Sequence, residues 1–275
     1  MLLPTLTSYD EVRILACGAM LALAAAIDIK KREIPDKVWL GFGGFGILMA
    51  ILDVLNGTLR LGVPFQSEGA GGSNLTNYIL SIGIIAPIAY AIYRTGLYGG
   101  ADSKALIVIA ILVPPFVIGS LNVATIHGFS ALTVLTNAVI LSMAHIGYNM
   151  IRNGLALAKG SSLFEGFEES TGRKALAFAV GYQSSAPRGY LYSMESQDPE
   201  SGKRKFRFSP AAYDDFVGEE APREETGEAI VNVERTKGER VWVTQALPFI
   251  VYIAAGFLAT LLAGDFMALL IQALT

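Results

Sequence analysis

The sequence predicts an all-α polytopic membrane protein with six transmembrane helices and a small β-containing cytoplasmic domain between helices five and six. Apolar residues make up 52% of the 275 residues and charged residues only 16%, whereas soluble domains carry about 25% charged residues. The mean hydropathy is +0.47. The charges are also clustered, because 12 of the 21 Lys and Arg and 15 of the 24 Asp and Glu lie between residues 154 and 240. A nearly charge-free chain with one charged segment is typical of a membrane protein that carries a soluble domain.

Six apolar runs approach the roughly 20 residues that a helix needs to cross a bilayer. The first is short and bounded by Arg13 and Asp28, and it is predicted to be a retained span because no basic region with a small-residue cleavage site is present. The fifth is longer than one crossing requires, which predicts a tilted or protruding helix. The runs cover residues 12–29, 38–55, 77–93, 103–120, 123–151 and 244–273.

The distribution of Lys and Arg over the short loops predicts the orientation of these spans, because such residues mark the cytoplasmic side. Cations follow the first, third and fifth spans, whereas the other side offers only Arg13 and Arg60. We therefore expect both termini outside and these three connections in the cytoplasm. The cytoplasmic cations are Lys30, Lys31, Arg32, Lys37, Arg94, Lys104, Arg152 and Lys159.

The charged segment defines three predicted regions: helices one to five in 1–153, a cytoplasmic domain in 154–243 and helix six in 244–275. Within the domain, β-branched and aromatic residues alternate with turn-forming sequences, which predicts a small sheet. The stretch 214–228 is acidic and is predicted to be a flexible loop. The predicted strands cover 175–182, 204–208, 229–233 and 240–243.

Composition and motifs argue against several other classes of protein. The net charge of −3 is unlike that of a nucleic-acid-binding protein. The single cysteine, Cys17, excludes internal disulfides and a thiolate zinc cluster. The only histidines, His127 and His145, lie 18 residues apart, and their spacing is not that of a zinc site. No metal and no cofactor are therefore predicted, and no G-x-S-x-G motif indicates a serine nucleophile.

Two further features of the apolar runs have a structural interpretation. The residues from Gly41 to Gly46 match the dinucleotide fingerprint G-x-G-x-x-G, but they lie inside an apolar helix with no preceding strand. Glycines in that setting let a neighbouring helix approach closely. Asp53 and Asp265 are predicted to be solvated or hydrogen-bonded carboxylates near the outer face. Of the two, Asp53 is expected to reach water.

Asp28 and Asp102 form the main candidate for a functional site. Carboxylates at the edge of or within a membrane span are costly and tend to be functional. Asp28 ends the first span and Asp102 opens the fourth, so the predicted orientation puts both on the cytoplasmic side. Each is followed two residues later by a lysine, Lys30 and Lys104. Charge placement alone leaves open whether they act chemically or are ordinary interfacial residues beside basic loops.

The segments 28–37 (DIKKREIPDK) and 99–104 (GGADSK) resemble the two active-site motifs of the type IV prepilin peptidases, most closely the archaeal preflagellin and prepilin peptidases. These are membrane aspartic proteases of the GxGD type. The resemblance covers about the first 150 residues. It implies that Asp28 and Asp102 are the catalytic pair, that Gly99 is the motif glycine and that Gly100 fills the variable position. Ala101 stands where the peptidase branch of the family accepts a hydrophobic residue.

The resemblance implies an endopeptidase that removes the short basic leader from archaellin or type IV pilin-like precursors at the cytoplasmic face of the cell membrane. Its partners would be those precursors and the lipid bilayer, with no nucleic acid. Gly99, Gly100, Lys30 and Lys104 would support the motifs or contact the substrate. Many bacterial members carry a four-cysteine zinc domain, which a chain with only Cys17 lacks, so methyltransferase activity is not expected.

Three alternatives remain at this level. The presenilin and signal-peptide-peptidase group shares the catalytic logic, but its Tyr-Asp motif is missing because Ile27 precedes Asp28. A proton-coupled transporter would use the carboxylates as a relay and predicts internal repeats, of which none is clear. A structural membrane anchor for the charged domain would leave both motifs without a role.

Overall fold

A computed structural model describes residues 8–31, 33–62, 73–94, 99–115, 128–185, 191–197, 204–208, 240–245 and 248–275. The described chain is mostly helical with a few short strands. It forms two compact units, one of Met1–Ser142 with Pro248–Thr275 and one of Met143–Leu247. The predicted strand 229–233, the predicted acidic loop 214–228, Arg32 and His127 lie outside the described residues.

Eight helices are described, and the first three contain the predicted apolar runs 12–29, 38–55 and 77–93, whereas α5 lies seven residues further along the chain than the run 123–151. Four of them, α1, α2, α3 and α5, are long and apolar enough to cross a membrane, and α7 with α8 passes the same test as a bent pair. The described part of α4 is shorter than a span, and residues 116–127 beyond it are not described. The apolar helices indicate a membrane protein with four or five candidate spans among its described residues. The helices are α1 Ser8–Lys31, α2 Asp36–Leu55, α3 Leu75–Arg94, α4 Gly100–Leu112, α5 Ser130–Ala158, α6 Thr171–Val180, α7 Phe249–Ala263 and α8 Phe266–Leu274.

The last predicted span, 244–273, is not one continuous helix. Residues 244 and 245 belong to a strand, and α7 and α8 meet at an angle of 55°. Gly264 has a φ of 89°, which ends α7, and Asp265 caps α8 by accepting a hydrogen bond from the Met267 N–H at 2.9 Å. Asn137 of α5 holds the break from the side, because its Nδ2 donates to Gly264 O at 2.8 Å. The backbone groups freed by the break are thus satisfied inside the protein, as a bilayer requires. Asp265 is a buried cap, in agreement with its prediction as a hydrogen-bonded carboxylate.

The G-x-G-x-x-G stretch of α2 shows why it is not a nucleotide site. A Cβ at Gly46 would lie 2.8 Å from Ile111 Cγ2, and one at Gly43 would lie 3.6 Å from Val108 Cγ2. Both partners belong to α4, so these glycines let α2 and α4 pack closely, which confirms the packing interpretation for them. Gly41 and Gly44 instead have no described atom within 4 Å of a Cβ position.

A buried polar cluster joins the first four helices at the end remote from Asp28 and Asp102. Arg13 is fully buried and its Nη2 lies 2.5 Å from Asp53 Oδ2. Tyr78 Oη donates to Ile111 O at 3.0 Å, and Arg13 Nη1 lies 3.5 Å from the same oxygen. Ile111 O is free to accept them because its usual helical donor would be residue 115, a proline without an N–H.

This cluster corrects the prediction for Asp53. That carboxylate was expected to reach water, but it is only 7% exposed and paired with Arg13. The physical reason is that a carboxylate within a bundle is stabilised by a charged partner when hydration is lost. The sequence contains both residues but not the rotation of α1 and α2 that turns them toward each other.

The second unit contains α6 and short strands. A three-stranded antiparallel sheet has the order β3-β7-β4, from Tyr182–Ser184, Val241–Gln245 and Leu191–Ser193, and β5 (Glu195–Gln197) pairs with β6 (Arg204–Phe206). A parallel two-residue pair in the first unit, β1 (Leu59–Arg60) with β2 (Ser73–Asn74), completes the described strands. The fully buried Trp242 stacks on Phe164 with ring centroids 5.3 Å apart, which forms the centre of a small aromatic core. The predicted strands 204–208 and 240–243 are confirmed in part, because β6 covers 204–206 and β7 covers 241–245.

The predicted strand 175–182 is wrong, because α6 covers most of it. Its aromatic and β-branched residues favoured a strand, yet three of its residues are alanines, which have the highest helix propensity. The Ser170 side chain caps the helix by accepting from Arg173 N. At the other end, Asn153 Nδ2 donates to Phe178 O at 2.8 Å and to Gly181 O at 2.7 Å. Both ends of α6 are therefore capped by side chains, the C-terminal end by Asn153 of α5, and this capping stabilises the helix over a strand.

Candidate active site

The two sequence motifs meet at one end of the first unit. Lys104 Nζ lies 2.5 Å from Asp36 Oδ1, so an ion pair joins the second motif to the first across 68 residues of sequence. The two side chains are 48% and 70% exposed, and such exposed pairs stabilise by less than about 1 kcal/mol. The ion pair is therefore chiefly a marker of geometry. It shows that the start of α4 lies beside the start of α2.

Asp102 is held in the first turn of α4 by its own backbone. Its Oδ2 accepts a hydrogen bond from the Gly99 N–H at 3.0 Å, and the Ser103 N–H donates to Gly99 O at 3.3 Å. The first bond is the carboxylate half of a capping box, and the second is the first backbone hydrogen bond of α4; a carboxylate is also favourable at a helix N-terminus. Asp102 is only 8% exposed. The carboxylate is thus buried, oriented and still able to offer Oδ1.

The two motif glycines keep the space next to Asp102 free of side chains. A Cβ at Gly99 would lie 3.4 Å from Asp102 Oδ2, and a Cβ at Gly100 would lie 3.4 Å from the Tyr93 ring. Any larger side chain at either position would therefore enter the space around the carboxylate or displace the end of α3. This gives both predicted supporting residues a steric reason to be glycine.

Asp28 lies near the C-terminal end of α1 and is partly buried. Its charge acts on Asp102. Burial raises the pKa of Asp102 to about 7; the hydrogen bond from Gly99 opposes this increase and the negative charge of Asp28 adds to it. Asp102 precedes the predicted fourth span, 103–120, and so lies outside it. The structure therefore brings the two predicted aspartates, distant in sequence, within electrostatic range of each other.

The two predicted supporting lysines are both exposed. Lys104 pairs with Asp36 near the start of α4, and Lys30 lies in the last turn of α1. Both lysines add positive charge to the end of the unit that holds the carboxylates. Cations at the C-terminal end of a helix such as α1 also complement its dipole.

Three neighbours of the carboxylates were not singled out from the sequence. Asp36 holds Lys104, Tyr93 packs against Gly100, and the Ser103 Oγ is buried with no hydrogen-bond partner among the described residues. Asp36 lies inside the first motif, and its position at the start of an apolar run was a usable signal. Tyr93 and Ser103 gave none, because their roles depend on the packing of α3 against α4.

The chemistry that this site can perform is acid–base catalysis by two carboxylates. Neighbouring carboxylates do not both ionise readily, so one retains a proton near neutral pH while the other is ionised. The ionised group can accept a proton from water and the protonated group can donate one. The described residues contain no group of three or more His, Cys, Asp or Glu placed to hold a metal ion.

Comparison with known proteins gives three matches. The profile of the type IV leader peptidase family matches residues 15–147, which include both aspartates. A second profile, archaeal peptidase A24 C-terminus type II, matches residues 142–266. The preflagellin peptidase of Methanococcus maripaludis is 26% identical over 259 residues, which cover 90% of this chain and 94% of that protein. The second profile extends the resemblance seen in the first 150 residues to nearly the whole chain.

Proposed function

Because the chain belongs to the type IV leader peptidase family, we propose that it removes the short basic leader from archaellin or type IV pilin-like precursors at the cytoplasmic membrane face. It is a protease of the aspartic type, as the family and the preflagellin peptidase relative indicate. The observation that carries the proposal is the approach of Asp28 to the buried, hydrogen-bonded Asp102 on two motifs joined by the Lys104–Asp36 ion pair.

The reaction is hydrolysis of one peptide bond with water as the nucleophile. The ionised carboxylate of the pair takes a proton from water, whose oxygen attacks the scissile carbonyl carbon. The protonated carboxylate donates its proton to the carbonyl oxygen, which gives a neutral tetrahedral intermediate. Collapse of this intermediate breaks the C–N bond as a proton passes to the departing amine, and the pair regains its single shared proton. Because the pair titrates as a unit, acid and base are not assigned to individual residues.

The supporting residues act on this pair and its surroundings. Gly99 fixes Asp102 through its N–H, and the absence of side chains at Gly99 and Gly100 leaves room for an extended substrate backbone beside the carboxylate. Lys104 pairs with Asp36 and so marks the place where the start of α4 lies beside the start of α2. Lys30 contributes to the positive charge that orients the membrane spans.

The test of this function is leader removal by the purified protein in lipid vesicles. A precursor with a basic leader and an apolar helix is expected to lose the leader as one fragment, which mass spectrometry of both products identifies. A precursor with proline next to the scissile bond serves as the uncleavable control. Intact precursor after incubation with the well-folded protein would contradict the proposal. No comparison supports the transporter alternative.

The rate of leader removal is expected to fall as the pH rises above about 7. The active pair carries one proton, and the pKa of Asp102, raised to about 7 mainly by burial, sets the pH at which that proton is lost. Above this value each further pH unit lowers kcat/KM by about tenfold. Initial rates measured between about pH 6 and about pH 9 would show this decrease in kcat/KM. An unchanged rate across that range would show that no shared proton is needed.

The proposed orientation has six spans, both termini outside and residues 154–243 in the cytoplasm. It is tested with single-cysteine variants Lys31→Cys and Asn56→Cys in a Cys17→Ala background, since both positions are exposed. A membrane-impermeant maleimide is expected to label Asn56→Cys in intact cells and Lys31→Cys only after lysis. The reverse pattern would place the proposed active site on the outer side.

A further inference from the structure

An apolar groove runs along the first unit between α1 and α2. It encloses about 560 Å³ and is lined by Leu23 of α1 and by Val38, Phe42 and Phe45 of α2. Gly41 forms part of its lining and Lys37 is its one charged residue. Leu23 is 45% exposed, and Gly41 is exposed as well. The groove is therefore an indentation in the membrane-facing surface that is open to an occupant.

The glycines of α2 indicate what kind of occupant this surface fits. Each glycine in a helix interior destabilises it by about 1 kcal/mol relative to alanine. At Gly43 and Gly46 close packing against α4 offsets this effect, whereas a Cβ at Gly41 or at Gly44 would meet no atom of the described chain within 4 Å, and of these two only Gly41 lines the groove. In membranes, small residues on a helix surface allow the backbone of another helix to come close. Gly41 thus has the character of a helix contact whose partner is not part of the described chain.

The position of the groove relates it to the active site. Lys37 and Val38 directly follow Asp36, whose carboxylate holds Lys104 two residues from Asp102. On the opposite wall, Leu23 precedes Asp28 by five residues, about 7.5 Å along the helix axis. The groove is therefore less than two helical turns from Asp28 along α1, and its Lys37 end is next to the Asp36–Lys104 ion pair, which lies two residues from Asp102. From there it extends to Phe45, eight residues or about 12 Å further along α2.

We propose that this groove seats the apolar helix of the precursor, with Gly41 as the point of closest helix–helix approach. The inference rests on the proposed function, which requires a substrate whose apolar helix lies in the bilayer next to the scissile bond. A helix in the groove leaves the bundle at the end where Asp28 and Asp102 lie. The chain that emerges there passes directly to the carboxylates.

The charge of Lys37 determines which part of the precursor can enter the groove. The leader is basic, so Lys37 at the mouth repels it, whereas the apolar helix has no charge that opposes entry. The like-charge repulsion keeps the leader in the aqueous phase beyond the groove and admits only the segment that follows the cleavage point. Discrimination of this kind combines an attractive surface with a repulsive element.

The test compares two matched substitutions on one helix, Gly41→Leu and Gly44→Leu. Both glycines have open space around a Cβ position, but only Gly41 lines the groove. Gly41→Leu is expected to lower kcat/KM for a full-length precursor in lipid vesicles by at least about tenfold, since it removes the closest approach between the helices. Gly44→Leu is expected to stay within about twofold of the wild type. Equal rates for the wild type and Gly41→Leu would overturn the groove assignment and leave the peptidase function intact.

Cross-linking gives a second readout that does not depend on how well Gly41→Leu folds. Gly41→Cys or Gly44→Cys is introduced with Cys17→Ala and Asp102→Asn, which keeps the precursor whole, and the precursor carries one cysteine in its apolar helix. A disulfide to the precursor from position 41 and not from position 44 is the expected result. Two results would overturn the proposal: a disulfide that joins position 41 only to a second copy of the chain, and no disulfide at all from position 41, which would mean that lipid occupies the groove. If the wild type does not remove the leader at all, the proposed function itself fails.

Discussion

Asp28→Asn and Asp102→Asn are each expected to lower the rate of leader removal by about 10²- to 10⁴-fold, the contribution of a positioned general acid or base. Asparagine is close in shape to aspartate but neither accepts a proton from water nor donates one to the carbonyl oxygen. Because the carboxylates share one proton, the double variant is expected to be no slower than the slower single variant. The measurement is the single-turnover rate with the precursor in lipid vesicles.

Asp265→Asn is the matched control for this experiment. It makes the same carboxylate-to-amide change in a buried aspartate, but Asp265 caps α8 and asparagine caps helices about equally well. Its rate is expected to equal that of the wild type. Substantial leader removal by Asp28→Asn or Asp102→Asn would refute the paired mechanism. A loss of activity in Asp265→Asn with retained folding would move the site away from the two motifs.

Arg13→Met and Asp53→Asn are each expected to lower the free energy of unfolding by about 3–5 kcal/mol. Each change removes one partner of a buried ion pair. Arg13→Met leaves the Asp53 carboxylate in the bundle without its counter-ion, and Asp53→Asn leaves the Arg13 guanidinium in the bundle without the Asp53 charge. The effect differs from that at Asp102, because the pair lies near the opposite end of α1 and α4 and touches no group of the proposed active site. Thermal or denaturant unfolding in detergent measures the loss, and the folded fraction is expected to retain the wild-type kcat.

The double variant Arg13→Met with Asp53→Leu separates the ion pair from the packing around it. Apolar replacement of both partners is often neutral or stabilising, because the desolvation of two charges is avoided. The double variant is therefore expected to regain most of the stability lost by Arg13→Met. Arg13 also contacts Ile111 O, and Thr58 Oγ1 donates a hydrogen bond to Asp53 Oδ1. If the double variant is less stable than either single variant, these hydrogen bonds contribute more to stability than the charges do.

Several elements followed from the sequence because they depend on local properties of the chain. A run of about 20 apolar residues forms a membrane helix whatever its neighbours are, so the predicted runs 12–29, 38–55 and 77–93 lie within α1, α2 and α3. Proline at residues 114 and 115 agrees with the end of α4 at Leu112. The strand at 175–182 was wrong because its alanines favour a helix more than its aromatic and β-branched residues favour a strand. The caps at Ser170 and Asn153 that decide between the two act partly through α5.

By itself, the sequence determined that this is a membrane protein, where its longest helices lie and that two aspartate motifs resemble those of a peptidase family. Only the tertiary structure decided that Asp28 acts on Asp102, that Asp36 holds Lys104, and that Asp53 faces Arg13 instead of water. It also divided the glycines of α2 into two that pack on α4 and two that face outward. The physical reason is that apolar length is a property of each segment, whereas the rotation of a helix about its axis is set by all the helices packed around it.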